Sequence, residues 1–163
     1  MSSLKKINTK FFSLEDLIVQ ADKWKKNREK IVFTNGCFDI MHRGHIEMLS
    51  HASMLGNKLI VGLNSDSSIR NLKGESRPIL DEESRGILLA ALAFIDAVIL
   101  FSEETPLNII SSLKPDILVK GGDYQTNEII GHKVVQENGG EVVLIPFING
   151  FSTSSIIDKI KNH

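Results

Sequence analysis

The stretch Ile31-Val32-Phe33-Thr34-Asn35-Gly36-Cys37-Phe38-Asp39-Ile40-Met41-His42-Arg43-Gly44-His45, with the run Ile46 to Gly56 behind it, decides the fold. Ile31 to Phe33 is short and apolar, Asn35-Gly36 interrupts it, and Ile46, Leu49, Ala52 and Ser53 recur at helical spacing, so the order is strand, turn, helix. A helix start carries unpaired backbone N–H groups and partial positive charge, so this joint suits an anion such as phosphate. Gly44 leaves room for close approach to the backbone. His42 and His45 are three residues apart, on one side of the first turn. The helix start disfavours an imidazolium while a bound polyphosphate favours it, and either form donates a hydrogen bond to phosphate. A zinc site from Cys37, His42 and His45 does not follow, because no second cysteine or matching ligand pair lies downstream.

Working outward, strands are expected near Ile31 to Thr34, Lys58 to Leu63, Ala97 to Phe101, Ile117 to Val119 and Glu141 to Pro146. Helices are expected near Gly44 to Leu55, Asp81 to Phe94, Pro106 to Leu113, Asn127 to Glu137 and Ser152 to Ile160. The strands are short and rich in Val, Ile and Leu without alternation, as in a parallel sheet buried on both faces. The expected fold is α/β, an open doubly wound, Rossmann-like domain on a five-stranded parallel sheet. Residues 1–12 read as a polar leader and 13–27 as a helix, with Ser13 as N-cap and Leu14, Leu17, Ile18, Ala21 and Trp24 at helical spacing. Trp24 reads as a packing anchor. With 30–163 as the α/β core, the whole chain reads as a single domain.

Composition narrows the function classes. The 163 residues are 42% hydrophobic and 24% charged, ordinary for a globular domain with a substantial core. A net charge of −1 with scattered Lys and Arg offers no basic field, so nucleic acid is not the expected partner. The single cysteine fits a reducing compartment, and the N-terminus has no apolar signal region. The longest apolar run, Ile87 to Ile95, is far short of the ~20 residues that span a bilayer. A cytoplasmic protein with a small-molecule ligand and no membrane partner is expected.

In doubly wound folds ligands bind outside the carboxyl ends of the strands. The first exit is the histidine turn. The second is Asn64-Ser65-Asp66, followed by the polar loop Leu72-Lys73-Gly74-Glu75-Ser76-Arg77-Pro78, which either is solvated surface or brings Lys73 or Arg77 to phosphate. After the fourth strand comes Lys120-Gly121-Gly122-Asp123-Tyr124, where paired glycines permit a tight turn and Asp123 can accept from a ligand hydroxyl or amine. After the fifth, Gly150-Phe151-Ser152-Thr153-Ser154-Ser155 opens the last helix with hydroxyls that serve as caps or hold phosphate. Cys37 has no adjacent base and reads as a packing or backbone-placing residue. Asp39 either holds a metal or a histidine N–H, or braces the turn.

Thr34-Asn35-Gly36-Cys37-Phe38-Asp39-Ile40-Met41-His42, Asn64-Ser65-Asp66, Leu72 to Pro78, Lys120 to Tyr124 and Gly150 to Thr153, in that order, resemble the D-glycero-β-D-manno-heptose 1-phosphate adenylyltransferases of the cytidylyltransferase-like nucleotidyltransferase superfamily. The resemblance implies transfer of AMP from ATP to heptose 1-phosphate, giving ADP-heptose and pyrophosphate for lipopolysaccharide core, with Mg²⁺ accompanying ATP. It implies that His42 and His45 stabilise charge at the α-phosphate and the departing pyrophosphate. Thr34, Asn35, Gly36, Cys37, Phe38 and Asp39 would line the nucleotide site with Gly44, Lys120, Gly121 and Asp123. Ser152, Thr153 and Ser154 would contact phosphate, Lys73 would neutralise it, and Asn64 and Arg77 are further candidates for the substrate phosphate. No metal ligand is assigned to the protein. The resemblance also implies a homodimer and a transferase served by a separate heptose kinase and phosphatase. Unlike glycerol 3-phosphate cytidylyltransferases, which have an arginine before the Gly-x-Ser-Thr segment, this chain has Phe147, Ile148 and Asn149 there. Ile156 is followed by Ile157 rather than arginine, and Lys159 lies farther along the helix. The alternatives are another nucleotide or acceptor, of GDP-heptose or CDP-glycerol type, and a noncatalytic nucleotide sensor, against which the retention of both histidines argues.

Overall fold

A computed structural model describes residues 3–122, 125–146 and 150–162. Five strands, β1 (Ile31–Gly36), β2 (Lys58–Asn64), β3 (Ala97–Phe101), β4 (Ile117–Gly121) and β5 (Glu141–Ile145), form one all-parallel sheet in the order β3-β2-β1-β4-β5. β1 pairs with β2 from Ile31↔Lys58 to Gly36↔Leu63. The apolar run of β1 is buried on both sides, as its unalternating sequence requires. Ile31 and Phe33 join one half of the core and Val32 the other.

Helices α2 (Leu14–Lys26), α6 (Leu107–Leu113) and α7 (His132–Glu137) cover the first face with Leu17, Trp24, Ile110 and Val135. Helices α3 (Arg43–Ser53) and α5 (Glu82–Ala91) cover the second with Leu49, Ala52 and Leu89. The winding reverses between β1 and β4, so a crevice opens at their carboxyl ends. The doubly wound α/β expectation holds. Ser13 caps α2 as expected, its hydroxyl accepting from the Asp16 N–H at 3.1 Å, and Trp24 is a buried packing residue. Among the described residues no helix is long and apolar enough to cross a membrane.

The leader is more than a polar tail. Ser3–Asn8 forms helix α1, and Phe11 makes a parallel bridge to Val98. Phe12 N–H donates to the Val98 carbonyl at 3.1 Å and Val98 N–H to that of Lys10 at 2.8 Å, so the leader pairs along the otherwise open edge of β3. A further helix, α4 (Asp66–Lys73), follows β2; the sequence reading has none there, and α4 takes in the first two residues of the polar loop expected over Leu72 to Pro78. Its cap is Ser65, which accepts from the Ser68 N–H at 3.2 Å. Its buried side chains are only Ser68 and Ile69, too few to show a helical stripe in the sequence. Conversely, the helix expected over Asn127 to Glu137 is broken into a 3₁₀ turn, Thr126–Glu128, and α7. Gly131 separates them at φ 88°, and a Cβ there would meet the Ile110 side chain at 2.7 Å. The last helix, α8, spans Thr153–Lys161.

Candidate active site

Two cavities meet at the start of α3. The first, about 600 Å³, lies in the β1/β4 crevice and is walled by Asn35 to Phe38, Asn64, Lys120 and Gly121. The second, about 530 Å³, is walled by His42, Gly44, Arg77 and Phe151 with Ser152 to Ser154. His45, Met48 and Lys73 line both.

His42 is the N-cap of α3 in extended conformation, but its side chain makes no capping bond. His45 sits one turn on, its N–H donating to the His42 carbonyl at 2.9 Å. The two rings are stacked, with centroids 3.9 Å apart, and Phe38 meets the His45 ring edge-on at 5.3 Å. Phe38 reaches that position from a left-handed backbone, φ 46°. Gly44 leaves the His42 ring its place: a Cβ would lie 3.1 Å from that ring and 3.1 Å from the Phe151 Cβ, so both side chains would have to give way by a few tenths of an ångström. Burial, the neighbouring His42 and Lys73 hold the His45 imidazole at about 4, and burial lowers His42 as well. Both rings are therefore neutral near pH 7. Their Nδ1 atoms are buried without a hydrogen-bond partner. A neutral ring still has one N–H to give and one lone pair to receive with.

Asp39 does not face either cavity. Its buried carboxylate accepts from Ile79 N–H at 2.7 Å, Leu80 N–H at 3.0 Å and Arg77 Nε at 2.5 Å. Burial alone would raise this carboxyl, but the bonds from Leu80, Arg77 and Ile79 outweigh it and hold the group below the ordinary range. Of the readings open to Asp39, the structure shows the brace of the turn, and Asp39 lines neither cavity. Thr34, expected in the nucleotide lining, is likewise not on a cavity wall. β1 continues through Gly36, so Thr34 lies buried inside the sheet beside Val61 and reaches neither cavity.

Asn35, Gly36, Cys37, Phe38, His45, Lys120 and Gly121 come together on the wall of the first cavity, and burial lowers the pKa of the Lys120 ammonium. The three residues expected at a substrate phosphate are divided: Asn64 lines the first cavity, Arg77 the second, and Lys73 both. Lys73 is the last residue of α4, and Gly74 turns the chain away at φ 92°. Arg77 spends its Nε on Asp39, while its Nη2 is buried and unpartnered beside the second cavity. Ser152 caps α8, accepting from Ser155 N–H at 3.1 Å, with Thr153 and Ser154 beside it on the cavity wall. Asp123, Tyr124 and Phe147 to Asn149 lie outside the described residues.

The sequence reading missed Met48, Phe151 and Arg85. Phe151 follows Gly150 ahead of the hydroxyl run; its ring lies 6.4 Å from that of His42, centroid to centroid, with the Arg43 guanidinium 5.7 Å from its centroid. Arg85 is wholly buried in α5. Its signal was an arginine four residues before Leu89, on the apolar stripe of that helix.

A family model described as cytidylyltransferase-like matches residues 33–159, from β1 to α8. The chain belongs to the cytidylyltransferase-like family. It is thereby a nucleotidyltransferase, and both histidines, both cavities and the first seven residues of α8, 153–159, fall inside the matched region. Among relatives of this cytidylyltransferase-like chain, a protein of Campylobacter jejuni named bifunctional protein HldE is 55% identical over 153 residues, covering 94% of this chain and 32% of its own length. One of the same name from Koribacter versatilis is 47% identical over 150 residues, covering 92% of this chain and 31% of its own. The chain thus spans about a third of the length of these relatives. The crystal structure of a lipopolysaccharide core biosynthesis protein from Thermoplasma volcanium superposes with a TM-score of 0.58 at 31% identity, covering 74% of this chain and 97% of that one.

Proposed function

We propose that this chain transfers AMP from ATP to D-glycero-β-D-manno-heptose 1-phosphate, releasing pyrophosphate and forming ADP-heptose for lipopolysaccharide core. The observation that carries the reading is the stacked pair His42 and His45, neutral, with unpartnered Nδ1 atoms, where two cavities meet at a helix start. The relatives named HldE and the lipopolysaccharide core biosynthesis structure support the choice of acceptor.

In this reading the nucleoside occupies the first cavity and the triphosphate crosses the wall at His45 and Lys73 into the second. A phosphate oxygen of the heptose 1-phosphate attacks the α-phosphorus. The bond from that phosphorus to the bridging oxygen breaks, and its electron pair leaves with pyrophosphate. The step is a single displacement, with no covalent enzyme intermediate. Catalysis is then positioning and electrostatic stabilisation. The imidazoles donate to oxygens that gain charge, Lys73 offsets charge between the cavities, and Arg77 Nη2 with the start of α8 receives the leaving pyrophosphate. Mg²⁺ enters with the substrate as MgATP, as is usual for a transferred triphosphate. A homodimer in the cytoplasm completes the proposal.

The test is pyrophosphate release with Mg²⁺, crossing ATP, CTP and GTP against both heptose 1-phosphate anomers and glycerol 3-phosphate. Release with ATP and the β anomer alone is expected. Release with a different pair would move the chain to another branch of the family, and nucleotide binding without release would make it a sensor.

A further inference from the structure

Arg85 is the largest wholly buried side chain among the described residues, and the proposed chemistry does not use it. Its guanidinium makes four hydrogen bonds. Nε donates to the Leu80 carbonyl at 3.0 Å, Nη1 to the carbonyls of Cys37 at 2.7 Å and Asn64 at 2.8 Å, and Nη2 to Asp66 Oδ1 at 2.7 Å. These acceptors come from three separate segments: the exit of β1, the exit of β2 with the start of α4, and the chain leading into α5.

Two of the segments wall the first cavity, through Cys37 and Asn64. The third is gripped from both sides, since Leu80 accepts from Arg85 while its own N–H donates to Asp39. Asp39 directly follows Phe38, the residue whose ring stands against His45. One guanidinium therefore ties the two sheet exits that shape the cavity to the turn behind the histidine pair. A buried charge with one carboxylate partner is weak evidence of a stability role, because an apolar side chain of similar volume often serves as well. What an apolar side chain does not do is hold three backbone carbonyls at fixed separations.

We propose that Arg85 is a positioning residue of the transferase site, holding the Cys37 and Asn64 carbonyls and, through Leu80 and Asp39, the Phe38–His45 contact. The inference rests on the first cavity being the nucleotide site. Lysine keeps the charge, but a single ammonium does not reproduce a planar fork aimed at four acceptors, so Arg85→Lys separates charge from placement. Asp66→Asn is the complementary variant, leaving the guanidinium and its three carbonyl bonds in place.

The experiment measures three properties of wild type, Arg85→Lys and Asp66→Asn: kcat and KM for ATP, MgATP binding by calorimetry, and the His45 titration by NMR. For Arg85→Lys a folded protein is expected with kcat at least 10-fold lower, MgATP binding weakened, and the His45 titration moved upward from about 4 as the turn admits water. For Asp66→Asn, kcat within about twofold of wild type and an unmoved His45 titration are expected. An Arg85→Lys protein that melts earlier but keeps wild-type kcat and His45 titration would make Arg85 a structural staple only. If Arg85→Lys does not fold, Asp66→Asn decides: a 10-fold loss of kcat there would assign the effect to the ion pair and overturn the proposal. A wild type that binds MgATP but releases no pyrophosphate would overturn the transferase reading alone, since the binding and titration arms still report on Arg85.

Discussion

Arg85 and Arg77 are both paired with an aspartate near the same cavities, yet they are left in opposite states. Arg85 has its Nε and both terminal nitrogens occupied and no exposed surface, whereas the Arg77 side chain is 13% exposed and keeps Nη2 unpartnered on the second cavity. A guanidinium with four of its five N–H groups engaged and no exposed surface is spent on holding the fold. An unsaturated one, beside two histidines with unpartnered nitrogens, still has interactions to give. Buried polar groups without partners are costly, and such groups mark the places where a ligand completes the set.

The largest effect tests the saturated half of Arg77. Asp39→Ala removes the acceptor of three bonds and leaves a guanidinium poorly paired, so a stability loss of about 3–5 kcal/mol is expected in urea unfolding. A loss under about 1 kcal/mol would put the Asp39 brace among weak surface pairs. On the unsaturated side, His45→Ala should lower kcat by about 100-fold or more while ATP affinity falls far less, as expected of an interaction strongest in the transition state. Unchanged turnover would remove His45 from the chemistry. Lys73→Ala should lower kcat/KM for ATP by about 10-fold, and unaltered kinetics would return Lys73 to the solvated surface.

Acid sensitivity sharpens the contrast further. His45 titrates at about 4 in the fold, against about 6.5 in an unfolded chain. The unfolded state therefore binds more protons between these values, so the contribution of His45 is complete above the upper value and is lost as pH falls toward the lower. The lowered Asp39 carboxyl acts in the same direction at still lower pH. Urea unfolding of wild type and His45→Asn from neutral pH to about 4 should show a shallower decline for the variant, and parallel declines would place the acid response elsewhere. The smallest expected effect is Ser152→Ala, about 1 kcal/mol from loss of the α8 cap, read as a small fall in Tm with MgATP binding changed less than in the Lys73 variant.

Legibility in the sequence followed the range of the interaction. β1, α2 and α3 were readable because their apolar spacing and the Ser13 cap are local properties of a few neighbouring residues. α4 was not, because a short helix with Ile69 as its sole buried apolar residue has too little periodicity to announce itself. The break at Gly131 was missed because Ile110, the side chain it accommodates, lies 21 positions away in sequence. Histidine, glycine and lysine positions at the strand exits were legible as a group, since a parallel sheet collects those exits along one edge. For Asp39 the brace stands in the sequence only as one of two readings, because the partners that decide it, Arg77, Ile79 and Leu80, arrive about 40 residues later in the chain.

The sequence by itself determined the strand-turn-helix that carries His42 and His45, the parallel sheet, and the family, because each depends on residue types at short spacing or in a fixed order. Tertiary structure alone decided which polar groups are spent and which are free. Asp39 and Arg85 are consumed by long-range bonds, Thr34 is enclosed by the sheet, and Asn64 and Arg77 fall on different cavities. The reason is physical: the availability of a polar atom is settled by what packs within about 3 Å of it, and in this fold those neighbours come from segments far apart in the chain.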